Sequence, residues 1–108
     1  MKVAIASNGD TLDAKIDLSF ARCAWFIVYD TESGTMEFIP NPNKDAEEHA
    51  GNAAVELISS RGVSMIVSGE FGMKIKSMLD SIHIQMVVIK DSTKRISDII
   101  DLLTNRRK

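Results

Sequence analysis

Cysteine is almost missing from this chain: Cys23 stands alone among 108 residues. An internal disulfide is excluded, and the four thiolates of a self-contained iron–sulfur or structural zinc site cannot be supplied. Long apolar runs are missing too. No stretch reaches the ~20 residues that cross a bilayer, and Val3-Ala4-Ile5-Ala6 is too short for the core of a signal peptide. Secretion and membrane spanning are therefore not expected, and a cytoplasmic location is. Charge of one sign is also lacking, since Lys+Arg 13 against Asp+Glu 15 leave a net −2. That gives no general pull toward nucleic acid or an acidic membrane, so an anionic ligand has to be held locally. The patterns G-x-G-x-x-G, G-x-x-x-x-G-K-[ST] and G-x-S-x-G are all absent, which leaves a nucleotide fingerprint and a serine-hydrolase triad unsupported.

What is present is the patterning of a globular α/β protein. At 44% hydrophobic residues the length suits one domain with a real core, taken as residues 1–104, followed by a basic, frayed tail over 105–108. Val3-Ala4-Ile5-Ala6 reads as a strand buried on both faces. Residues 11–19 read as a loop pinned by Leu12, Ile16 and Leu18. Ala24-Trp25-Phe26-Ile27-Val28-Tyr29-Asp30 and Thr35-Met36-Glu37-Phe38-Ile39-Pro40 flank the turn Thr31-Glu32-Ser33-Gly34 as a hairpin, with Trp25 and Phe26 on opposite faces. A helix is expected from about Asp45, with Ala46, Ala50, Ala53, Ala54, Leu57 and Ile58 on its inner face and Gly62 at its stop. Strands at 63–68 and 84–89 bracket a second helix marked by Phe71, Ile75, Met78, Leu79 and Ile82. Asp91-Ser92-Thr93 is expected to cap a last helix whose inner stripe is Ile96, Ile99, Ile100 and Leu103.

The order β-β-β-α-β-α-β-α, with a hairpin first and helical crossovers later, predicts a five-stranded mixed sheet. Its expected spatial order is 3-2-1-4-5, with strand two antiparallel and three helices covering the faces. That is a ribonuclease-H-like, three-layer arrangement. Because strand two runs backward, segments 7–17, 20–23, 41–49, 69–74 and 90–93 all reach one end of the sheet, where open α/β sheets bind ligands. Arg22, Cys23, His49 and Lys74 are thereby expected to share a cleft with the Gly69–Gly72 junction.

These side chains suit a soft, anionic metal–sulfur species. Cys23 offers a thiolate and His49 an imidazole as metal ligands, Arg22 and Lys74 offer positive charge, and the backbone at Gly69 and Gly72 offers N–H groups. The plainer readings are a packed, hydrophobe-like Cys23, a solvent-facing His49, solvated Arg22 and Lys74, and an ordinary strand-to-helix turn at the glycines. His83 reads as a structural or solvated turn residue. Two-metal nuclease chemistry needs converging carboxylates, commonly with one on the first strand. Residues 3–6 carry none, and Asp10, Asp13 and Asp17 fall on a loop expected to be mobile, with Glu70 beyond.

The same residues resemble the dinitrogenase iron–molybdenum cofactor biosynthesis family of the NifX and NifB C-terminal type. The likeness spans nearly the whole chain. Met1-Lys2-Val3-Ala4-Ile5-Ala6-Ser7 is similar to the family's start, and Ser19-Phe20-Ala21-Arg22-Cys23-Ala24-Trp25-Phe26 resembles its H-F-G-R-A-x-x-F. His49-Ala50-Gly51 is similar to its H-x-G, and Gly62-Val63 with Ser68-Gly69-Glu70-Phe71-Gly72 to its G-V-D and G-G-x-G. Ser19, Ala21 and Glu70 stand where the family has His, Gly and Gly. The resemblance implies a domain that binds or carries an iron–molybdenum or other metal–sulfur cluster without turnover. A cluster-biosynthesis or recipient protein would be its partner, with no nucleic acid or membrane involved, and its state would be a monomer or weak dimer. A cluster-free interaction or regulatory module is the alternative, and a metal-dependent nuclease a weaker one.

Overall fold

All five residues of β1 (Lys2–Ser7) after the first are buried, because this strand is the middle of the sheet and both of its faces are covered. The computed structural model describes residues 1–45 and 49–105. β1 pairs antiparallel with β2 (Trp25–Asp30), which pairs antiparallel with β3 (Met36–Pro40). On its other side β1 runs parallel to β4 (Met65–Ser68), and β4 runs parallel to β5 (Gln85–Val88). The order β3-β2-β1-β4-β5 is the one predicted. Helices α1 (Ala50–Ser59), α2 (Met73–Ser81) and α3 (Ile96–Asn105) complete the fold.

Side-chain alternation along the strands divides the interior into two cores. Ala4 and Ala6 of β1, Phe26 and Val28 of β2 and Ile66 of β4 point to α1 and α2, where they meet Ala54, Ile58, Ile75 and Leu79. Val3, Ile5, Ile27, Tyr29, Met65 and Val67 point the other way, to Ile96, Ile99 and Leu103 of α3.

Three local expectations are corrected. The first helix starts at Ala50 rather than near Asp45; residues 42–45 form a turn, and Ala46 lies outside the described residues. Asp91 does not cap α3. Its carboxylate closes a local turn by accepting the Thr93 N–H and hydroxyl, while the Asp98 carboxylate reaches back to the Arg95 N–H at 3.0 Å as half of a capping box. Asn105 belongs to α3, and the other tail residues, Arg106, Arg107 and Lys108, lie outside the described residues.

The 8–17 segment is also tied down where mobility was expected. The first N–H groups of α3, which have no partner within the helix, donate to this segment: Ile96 N–H to Ala14 O at 2.9 Å and Ser97 N–H to Leu12 O at 3.0 Å. Asn8 N–H donates to Lys15 O, Ile16 N–H to Lys94 O and Asp17 N–H to Ala6 O. Ile16 is the apolar pin, whereas Leu12 and Leu18 are exposed. Among the described residues no helix is long and apolar enough to cross a membrane.

Candidate functional site

Three segments meet above the α1/α2 side of the sheet, at the carboxyl end of β1 and β4, and enclose an open cleft of about 420 Å³. The first is the approach to β2. Phe20 is buried against Phe26 and Phe71, with ring centroids at 5.5 and 5.8 Å, and this anchor presents Ala21 and Arg22 to the cleft. Asn41 holds the same segment from below. Its buried amide donates to Ala21 O at 3.0 Å and Cys23 O at 2.9 Å, and its carbonyl oxygen accepts the Asn43 N–H.

The second and third segments are the N-termini of α1 and α2. Gly51 lets them approach, since a Cβ there would lie 3.1 Å from Ile75 of α2. His49 precedes α1 in a left-handed conformation, φ 62° and ψ 18°, and Gly72 precedes α2; neither end has a side-chain cap, and neither first turn contains an acid. Arg22, His49, Gly72 and Lys74 line the cleft together with Asn52, Met73 and Met78. Four of the six residues proposed from sequence are thus brought together.

The other two are not. Cys23 is fully buried in the α1/α2-side core, with its thiol donating to Phe20 O at 3.4 Å. Burial pushes the thiol well above its ordinary pKa, and the nearby Asp17 carboxylate adds to that push. A thiolate ligand is not on offer there, because desolvation disfavours the charged form. Gly69 is required by packing. A Cβ at this position would sit 2.5 Å from Leu18 Cα, and the Gly69 N–H is spent on Asp17 O at 3.2 Å. Residues 17–19 therefore run beside 69–70, joined by a bridge between Ser19 and Glu70.

The described groups lining the cleft include positive ones. Two helix N-termini bring the positive ends of their dipoles to it. Arg22 and Lys74 add full charges, and Lys74 sits in the first turn of α2, where a cation opposes the dipole rather than complementing it. No described carboxylate lines the cleft. Glu70 is exposed outside it, and Asp10 and Asp13 lie on the segment bonded to α3, Asp13 at 4.0 Å from Arg95. The Asp17 carboxylate accepts the Ser19 N–H at 3.0 Å. Among the described residues no three of His, Cys, Asp and Glu are grouped to hold a metal ion, so converging nuclease carboxylates are not found.

The sequence profile of the dinitrogenase iron–molybdenum cofactor family matches residues 1–106. The chain belongs to that family. Among solved structures it resembles the apo form of the orange protein of Desulfovibrio gigas, at 20% identity and a TM-score of 0.88 over 98% of this chain and 88% of that one. A Thermotoga protein assigned as NifB is 28% identical, with a TM-score of 0.81 over 98% and 89% of the two chains. A Methanocaldococcus jannaschii protein assigned as a dinitrogenase gives 20% identity and a TM-score of 0.59 over 94% and 88%. At 20% identity the likeness is one of fold. No curated protein sequence matches.

Sequence reasoning missed Asn41, Gly51 and Met73. Asn41 carried a signal in hindsight, since an Asn-Pro pair ending a strand favours a turn held by the Asn side chain. Gly51 is the Gly of the H-x-G stretch already singled out. Met73, at 86% exposure the most open of the large hydrophobic side chains, carried none.

Proposed function

We propose that this protein is a small, non-catalytic, cytoplasmic carrier of an anionic metal–sulfur cluster of the iron–molybdenum cofactor or precursor type. Residues 1–104 act as one cofactor-binding domain, and a cluster-biosynthesis or recipient protein is the exchange partner of what is otherwise a monomer or weak dimer. One observation carries this reading: two uncapped helix N-termini, Arg22 and Lys74 face one cleft with no described carboxylate among its lining residues. Helix N-termini and cationic side chains attract an anion together, which is what this reading requires of the cleft.

The donor set fits such a cargo and also limits how it is held. Arg22, Lys74 and the N–H groups at the start of α1 and α2 meet sulfide or oxygen atoms, and the His49 imidazole is the one metal ligand of the sequence-derived pair that lines the cleft. Cys23 contributes packing. A cargo held mainly by charge and hydrogen bonds arrives assembled and can leave intact, as carrying requires.

Anaerobic reconstitution with iron, sulfide and molybdate, read by visible absorption and metal analysis, tests this. The wild-type protein is expected to retain coloured, stoichiometric metal. Arg22→Gln and Lys74→Gln are each expected to weaken retention about tenfold, the loss of one charge-assisted hydrogen bond, and Cys23→Ala to retain it. A colourless wild type, or loss confined to Cys23→Ala, would contradict the reading.

A further inference from the structure

β3 ends the sheet order and is exposed at every residue except Ile39. Its backbone is half used. In the antiparallel register Glu37 faces Val28 and Ile39 faces Phe26. The bonds Asp30 N–H to Thr35 O and Asn41 N–H to Ala24 O, at 2.9 and 3.0 Å, mark these as the hydrogen-bonded pairs. The N–H and C=O groups of Glu37 and Ile39 therefore point to β2, and those of Met36, Phe38 and Pro40 point away from the sheet. Pro40 contributes a carbonyl and no N–H.

We propose that a second copy of this chain pairs on β3, antiparallel about a two-fold axis through Phe38, so that two five-stranded sheets join into one. In this register the two Phe38 residues exchange both N–H···O=C bonds, and each Met36 N–H meets the Pro40 carbonyl of the other copy. Every outward donor of β3 is used, and Pro40 is needed only as an acceptor. Glu37 then faces Ile39 of the second copy, on the side where the Glu37 carboxylate is already paired with Arg61. The competing register, centred on Glu37, also uses every outward donor but sets the two glutamates directly opposite, which like charges disfavour.

The apolar side chains agree with this choice. Met36 and Phe38, 36% and 40% exposed, share a sheet face with half-buried Trp25 through its pairing with Pro40. Across the axis they continue into the same residues of the second copy. The cleft opens on the α1/α2 side and is left free. Two five-residue strands cover less surface than a standard interface, so the dimer is weak and appears with concentration. Nothing in this pairing depends on the cluster proposal.

Sedimentation velocity of the full chain from about 10 μM to about 1 mM, the range where a weak dimer populates, tests the pairing. The wild type is expected to pass from monomer to dimer. A residue on the axis faces itself, so Phe38→Lys and Phe38→Glu should each weaken association at least tenfold, while an equimolar mixture of the two should associate again. Recovery in the mixture also shows that both variants are folded. A wild type that stays monomeric throughout, association that survives in both variants, or a mixture that fails to associate would overturn the proposal.

Discussion

The two faces of the sheet are built from the same strands and do different work. The α3 face is packed with β-branched and aromatic side chains, Val3, Ile5, Ile27, Tyr29, Val67, Ile96 and Ile99. Backbone hydrogen bonds lace α3 to the 8–17 segment, and Tyr29 of β2 meets Thr104 of α3 at 3.3 Å. The α1/α2 face combines the rings of Phe20, Phe26 and Phe71 with small residues, Ala4, Ala6, Ala50, Ala54 and Gly51, and ends in an open cleft whose lining includes Arg22 and Lys74. Small side chains bring two helix starts close together, and closeness is what sums their dipoles. The contrast teaches that both faces hold the fold, and that the α1/α2 face adds a cleft with positive groups at its end.

Ile99 breaks the comparison from the stable side. It is 1% exposed in the α3-side core, so Ile99→Ala is expected to lose about 2–5 kcal/mol in denaturant unfolding, with anion binding unchanged while the protein is folded. Lys74→Gln is the converse, with binding weakened and the unfolding midpoint unmoved, because its side chain is exposed.

Cys23 sharpens the line between core and cleft. Its folded-state pKa is raised by burial, so the stability it contributes is fully present below the unfolded thiol's value and is lost as pH rises. Above pH ~9 the unfolded chain releases a proton that the native chain retains, and wild-type stability should fall relative to Cys23→Ala by about 1.4 kcal/mol per pH unit. The same thiol should resist alkylation until the protein unfolds.

His49 gives the smallest effect and the most telling sign. Its φ of 62° is a conformation that glycine adopts freely. His49→Gly is expected to raise stability by up to ~1 kcal/mol while weakening cluster retention, the opposed changes of a strained functional residue. A substitution that leaves both unchanged would make His49 an ordinary turn residue.

Hydrophobic patterning made the sheet order legible because a centrally buried β1, a hairpin and two helical crossovers leave few topologies. It did not show which way the ends of elements turn. The alanine spacing through residue 46 looks helical, yet the chain turns at 42–45 around the Asn41 side chain, and nothing in a histidine announces a left-handed residue ahead of Ala50. Cys23 precedes β2, a position that suits the rim as well as the core, and its side chain takes the packed, hydrophobe-like option. At Gly69 the sequence leaves a ligand-facing glycine and an ordinary turn both open, because close approach by a ligand and close approach by Leu18 leave the same mark. Arg22, His49, Gly72 and Lys74 could be placed together because topology alone decides which loops share an end.

The central claim is that this cleft grips an anion through Arg22, Lys74 and the two helix starts. Amide chemical-shift mapping during titration with tetrathiomolybdate tests it most directly. The predicted result is saturable shifts confined to residues 21–22, 49–52 and 72–75, abolished in the Arg22→Gln, Lys74→Gln double variant. Shifts centred on the α3 face, or unchanged binding by the double variant, would contradict it.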